Sequence, residues 1–255
     1  MDNLGQLILV TFLAAVLADV SMVFGVIPFY FLQALKARTE GLFAAVAAGM
    51  MMAASLVQLV GAGLDRTPGL QGWEVAAGVG AGAFLYLFVS RWLDRHQEFD
   101  VMSLRRSGGR QALLIVMAMT VHSAPEGVAI GVAFGSRELG LGLAVVSALA
   151  VHNIPEAIAI TLALRAQGLS VNRCLGWALL TSLPQPIFAP LAAWLIWLFE
   201  PLLPAGMGFA AGAMVFLVID DLLPESFRKA PKETVAIGLT AGVILMIALG
   251  RLVGL

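Results

Sequence analysis

Eight stretches of this chain run for twenty residues or more with almost no charge, at about 4–32, 42–64, 74–93, 111–135, 139–164, 174–199, 204–224 and 234–254. A helix needs about 20 apolar residues to cross the hydrocarbon core of a bilayer, so each stretch is long enough to span. The stretches are too long for the strands of a membrane barrel and show no period-two alternation. A bilayer interior admits only helices or closed barrels, because every backbone polar group must be satisfied within the protein. The fold class is therefore all-α, a polytopic membrane protein of eight transmembrane helices. Composition agrees, since 60% of the 255 residues are hydrophobic and 12% charged, far from the balance of a soluble domain.

Basic residues set the expected orientation, because Lys and Arg accumulate in short cytoplasmic loops. Lys36 and Arg38 follow the first stretch, Arg91, Arg95, Arg105, Arg106 and Arg110 flank the third connection, Arg165 and Arg173 the fifth, and Arg228, Lys229 and Lys232 the seventh. The opposite side holds only Arg66, Arg137 and Arg251. Both termini are therefore expected outside the cytoplasm. The net charge of -1 says little, since most charges lie in loops, and no basic run points to nucleic acid. The single Cys174 excludes an intrachain disulfide and a Cys-rich metal site. No cleavable signal pattern precedes the first stretch, which is expected to remain in the protein. The largest connection, DRHQEFDVMSLRRSGGR at about 94–110, is polar and too small for a second domain, so residues 1–255 are expected to form one transmembrane domain. Gly78, Gly80 and Gly82 follow no strand and lie mid-helix, which favours close helix packing over a phosphate loop.

Against this apolar background, VHSAPEGVAIGVAF at 121–134 recurs thirty residues later as VHNIPEAIAITLAL at 151–164, with seven of fourteen positions shared. His122 and Glu126 are four apart, as are His152 and Glu156, so each pair projects from one helix face. The short GSRELG connection makes the two helices antiparallel, and the motifs meet near the bilayer midplane, where transporters with internal symmetry place their substrate sites. Pro125 and Pro155 lack an amide hydrogen, which predicts kinks in helices 4 and 5 and frees the carbonyls of Val121 and Val151. A charge at the bilayer centre costs at least about 2.5–3.5 kcal/mol, and a divalent cation between the two carboxylates offsets that cost. Imidazole with carboxylate suits Zn²⁺, Fe²⁺, Mn²⁺ or Co²⁺, whereas Mg²⁺ or Ca²⁺ would want oxygen alone. His and Glu can also hydrogen-bond between helices as structural glue. Two copies, each with a proline and together using two of only three histidines, favour a metal or proton site.

Eight helices with both ends outside, and HSAPEG followed by HNIPEA on the fourth and fifth, resemble the ZIP (Zrt/Irt-like) family of divalent-metal transporters. FGVIPFYF in helix 1, AAGMMMAASL in helix 2 and AAGAMVFLVIDDLLPES in helix 7 are similar to family signatures as well. The resemblance implies movement of Zn²⁺, or of Fe²⁺, Mn²⁺, Co²⁺ or Cd²⁺, toward the cytoplasm, with the metal as substrate and no catalytic cofactor. It implies a binuclear-type centre between helices 2, 4 and 5, with Met51, His122, Glu126, His152 and Glu156 on the main metal. The family often holds a second, bridged metal through positions that here read Ser123, Asn153 and Gln185. A neutral amide at Gln185 replaces a carboxylate, so one strong site is expected, with the neighbouring position weak or empty. The resemblance further implies an entrance position at Asp65, an exit station at Asp220, Asp221 and Glu225, and a homodimer; with no organelle-targeting pattern in the sequence, a prokaryotic plasma membrane is the expected location. Asp19 has no counterpart in that pattern and is expected to face the bundle and pair with something polar. The connection at 94–110 carries only His96, which makes metal sensing there doubtful. The competing class is an intramembrane zinc-dependent hydrolase, since a His and carboxylate centre can activate water, although the HExxH spacing of zinc proteases is absent. A proton-conducting or purely structural bundle is a further alternative.

Overall fold

The computed structural model describes residues 3–32, 36–67, 72–96 and 109–253, with the side chains of 93–96, 109–119, 121–122, 166 and 253 outside the description. Among the described residues every regular element is helical. Eight helical segments follow in order: α1 Leu4–Tyr30, α2 Ala37–Asp65, α3 Trp73–His96, α4 Gly109–Gly135, α5 Leu139–Ala166, α6 Val171–Leu198, α7 Glu200–Lys229 and α8 Lys232–Val253. Seven of them, all but α4 with its undescribed side chains, are long and apolar enough to cross a membrane. The protein is a multi-pass membrane protein, and its outer faces agree: Leu17, Phe31, Phe84, Ile237 and Leu252 all stand exposed where lipid would cover them. Most of the connection expected at 94–110 lies outside the described residues.

Lipid offers no hydrophobic gain for helix association, so the bundle is held by close packing of small residues. The clearest case is α3 against α7. A Cβ added to Gly78 or Gly82 would collide with the backbone of Ala205 and Phe209, and one added to Gly208 or Gly212 with the backbone of Val75 and Val79. Two glycine pairs at four-residue spacing thus seat each backbone against the other. Gly80 meets nothing within 4 Å and lies off this contact, so helix packing accounts for the Gly78 and Gly82 positions of the cluster. By the same device α4 packs along α6 and α2 along α8. Helix α5 touches α1, α2, α4, α6 and α8, which places it inside the bundle.

Several helices are interrupted, and the interruptions cluster around polar residues. In α1, Ser21 donates to the carbonyls of Ala18 and Ala150, 2.6 Å each, where the helix breaks. In α2 the residues Ala54–Val60 take π-helical turns just after Ser55 donates to the Met51 carbonyl at 2.8 Å. In α6 the helix stops at Ser182 and restarts at Pro184. In α7 the residues Val218–Leu222 are again π-helical, ahead of Pro224, which has no amide hydrogen for the Asp220 carbonyl. Pro125 and Pro155, from which kinks were expected, lie inside helices that continue through them without a break.

Candidate metal centre

Helices α4 and α5 are joined by residues 136–138 alone, with Arg137 in the left-handed region at φ 63°, so they must run side by side in opposite directions. That pairing brings Glu126 of α4 to His152 and Glu156 of α5. The three are 1%, 3% and 5% exposed, and one ligand atom from each lies within 4.8 Å of the others. His152 Nε2 is 3.2 Å from Glu126 Oε1 and 3.9 Å from Glu156 Oε2. Ligand atoms sharing one tetrahedral zinc stand about 3.3 Å apart, as follows from bonds of about 2.0–2.1 Å. The trio therefore sits close to the geometry a single ion needs. Among the described residues no other group of three His, Cys, Asp or Glu side chains comes together in this way.

The trio is short of partners. Glu126 Oε1, His152 Nδ1 and both oxygens of Glu156 make no hydrogen bond to the protein. Two carboxylates buried with open lone pairs are costly unless positive charge joins them, and a dication that accepts imidazole nitrogen and carboxylate oxygen matches this donor set. The other oxygen of Glu126 is engaged: Gln185 Nε2 donates to Glu126 Oε2. Asn153 continues the network, donating to the Ala18 carbonyl at 2.7 Å and lying 3.4 Å from the Gln185 amide. Neutral amides from α5 and α6 thus stand together beside Glu126 Oε2.

The remaining sequence-derived positions fall in several places. His122 lies one turn before Glu126 on α4, and its side chain is outside the described residues. Met51 is buried in α2 within the apolar cluster that includes Leu149 and Met214. Ser123, Asn153 and Gln185 are fully buried. Asp65 is exposed at the end of α2 and lines a cavity of about 340 Å³ with Gln58, Leu141, Met246 and Arg251. In α7, Asp221 accepts from the Tyr86 hydroxyl at 2.9 Å and Asp220 is exposed. Glu225 pairs instead with basic groups, Arg228 and Lys229, the latter at 2.8 Å, and Lys229 also reaches Glu40 at 3.1 Å. Asp220, Asp221 and Glu225 therefore do not form a three-ligand cluster.

Two buried polar residues had no functional role assigned from the sequence. Asp19 is 8% exposed and within electrostatic reach of Glu126 and Glu156; a lone acid in an apolar span was the available signal. Gln58 is buried in the π-helical part of α2, with its Oε1 unpaired.

Comparison with known proteins gives the same direction. The family model described as ZIP Zinc transporter matches residues 93–250. The zinc transporter GufA of Myxococcus xanthus is 38% identical over 196 residues, covering 75% of this chain and 77% of that protein. The zinc transporter ZIPB of Bordetella bronchiseptica is 35% identical over 230 residues, covering 88% of this chain and 74% of that protein. A longer protein of Arabidopsis thaliana, whose name places it among zinc-transporter candidates, is 37% identical over 229 residues. This chain spans 89% of its own length in that match but only 36% of the plant protein. A family match over more than half the chain, and relatives of this identity and coverage, show that the chain belongs to the ZIP zinc transporter family.

Proposed function

We propose that this protein carries divalent transition-metal ions, zinc first among them, across the membrane toward the cytoplasm, and that Glu126, His152 and Glu156 hold the ion midway. The observation that carries the reading is the trio itself: three buried ligand groups from two adjacent helices, with four of their polar atoms lacking any hydrogen-bond partner. Nitrogen and oxygen donors together favour a borderline ion over a hard one. His122, from the same face of α4 as Glu126, and Met51 of α2 are proposed as further ligands. A thioether there would bias selection toward softer ions.

A carrier must expose such a centre to each side in turn. The bundle has means for it, because α2, α6 and α7 all depart from regular α-helix, and discontinuous helices at the substrate site are a recurrent device of transporters. The basic residues along the first, third, fifth and seventh connections support an orientation with both termini outside. A homodimer in a prokaryotic plasma membrane is part of the same proposal.

Uptake of Zn²⁺ into proteoliposomes, beside Fe²⁺, Mn²⁺, Co²⁺ and Cd²⁺, tests it. Saturable uptake by the wild type that His152→Ala and Glu156→Ala both lose is the expected result. Uptake untouched by either substitution, or none at all from a folded protein that retains stoichiometric metal, overturns the proposal.

A further inference from the structure

Asp19 is the buried acid that the proposed centre does not use. It projects from α1 two residues before the break at Ser21, and its Oδ1 makes no hydrogen bond. Asn153 donates to the Ala18 carbonyl at 2.7 Å and Ser21 to the Ala150 carbonyl at 2.6 Å, which seats this part of α1 on α5 and brings Asp19 within electrostatic reach of Glu126 and Glu156. Like charges brought together there require a positive partner.

The polar side chain acting most directly on Asp19 is a hydroxyl. Ser182 of α6 lies beside it, fully buried, its hydroxyl held just outside full hydrogen-bond geometry with any partner. It is also the last residue before α6 breaks. A continuous helix would pair the Ser182 carbonyl with the amide of residue 186, but that residue is Pro186 and has no amide hydrogen. Glu156 has both oxygens unpaired, enough lone pairs to serve two ions at once. The Gln185 amide already occupies Oε2 of Glu126, which leaves that oxygen poorly placed to take a further ion.

We propose that Asp19, Glu156 and Ser182 form a second cation position beside the Glu126, His152 and Glu156 centre, sharing Glu156 with it. The inference rests on the reading of that trio as the metal centre. An oxygen-only set without imidazole suits a harder divalent ion, or a transition-metal ion that keeps part of its water shell. The position is weaker than the first and fills after it.

Mn²⁺ binding to the purified full-length protein, counted by electron paramagnetic resonance after Zn²⁺ has filled the tight site, tests the proposal. Wild type is expected to take up Mn²⁺ beyond the tight Zn²⁺. Asp19→Asn, which keeps the shape and removes the charge, is expected to weaken that Mn²⁺ by at least about tenfold while tight Zn²⁺ stays at full stoichiometry, and Ser182→Ala to weaken it less. Glu126→Gln should impair tight Zn²⁺; if it leaves tight Zn²⁺ unchanged, the trio reading itself has failed, whatever Asp19 does. Unchanged Mn²⁺ affinity in Asp19→Asn, or no Mn²⁺ bound by Zn²⁺-loaded wild type, overturns the second position alone. Parallel loss of Zn²⁺ and Mn²⁺ in Asp19→Asn, with lowered thermal stability, also overturns it and leaves Asp19 a structural residue.

Discussion

Replacing Gln185 by glutamate tests why one ion rather than two should bind tightly. In the structure the Gln185 amide donates to Glu126 Oε2 and lies 3.4 Å from Asn153 Oδ1, with all three side chains buried. Gln185→Glu removes the donor and sets one carboxylate against another. A hydrogen bond to a charged group is worth about 1.5–3 kcal/mol. Two carboxylate charges about 3 Å apart repel by about 5 kcal/mol at an effective dielectric of ~20. The metal-free variant therefore loses about 7 kcal/mol unless a proton or a cation sits between the two groups, a loss comparable to the whole stability of many domains. Each added site at a hundredfold excess of ligand over Kd returns about 2.7 kcal/mol, which amounts to about 5–10 °C in Tm for a chain of this size. In detergent with a chelator the variant is expected to melt below the wild type. On adding Zn²⁺ its Tm should rise by more than that of the wild type, and equilibrium dialysis should count a second tightly held ion. Equal Tm values without metal, together with unchanged stoichiometry, would refute the idea that the neutral amide at 185 limits the centre.

Three further outcomes are expected. At the α3 and α7 contact, Gly82→Ala drives a methyl into the Phe209 backbone, whereas Gly80→Ala meets nothing within 4 Å. The first should cost about 1–3 kcal/mol and the second should be neutral or stabilising by up to about 1 kcal/mol, as read from thermal unfolding in detergent. His152→Ala deletes the nitrogen donor of the trio and should lower Zn²⁺ affinity more than Mn²⁺ affinity, which competition dialysis measures. Ligation needs neutral imidazole and ionised carboxylates, so protons compete with the ion. Zn²⁺ affinity measured by titration calorimetry should fall as pH is lowered and recover when it is restored, and pH-independent binding would argue against His152 as a ligand.

The helix count and the meeting of Glu126, His152 and Glu156 were legible in the sequence for one reason: lipid makes polar groups costly, so each has to be accounted for. Span limits followed from the length needed to cross the core, and 174–199 was read where Val171–Leu198 is found. The four-residue spacing placed His152 and Glu156 on one face, and antiparallel α4 brought Glu126 to them. What the sequence hid is where helices yield. Pro125 and Pro155 each remove one donor, and α4 and α5 absorb the loss without interruption. Pro184 and Pro186 remove two donors within one turn, and α6 breaks there. The π-helical turns at Ala54–Val60 contain no proline, so nothing local announces them. Gly78 and Gly82 likewise declared a close contact but not its partner, because the choice of α7 depends on the matching spacing of Gly208 and Gly212 more than a hundred residues away.

The interior charges also bear on how an ion can leave as well as bind. A centre that satisfied every lone pair of Glu126, His152 and Glu156 around one ion would hold it too firmly for a carrier. Two features lower that hold. The Gln185 amide draws electron density from Glu126 through Oε2, which weakens its other oxygen as a ligand. Asp19 lies within electrostatic reach of Glu156 and, on the proposal above, offers oxygen to an ion already attached there. On that proposal an ion moving from His152 toward Asp19 would keep its bond to Glu156 and exchange one nitrogen for oxygen or water, so that no step would strand a bare charge in lipid. Removing Asp19 should then slow release more than it weakens tight binding, whereas removing His152 should weaken binding first. That opposite pattern follows from a shared carboxylate between two unequal positions and would not arise if Asp19 served only to pack α1 against α6.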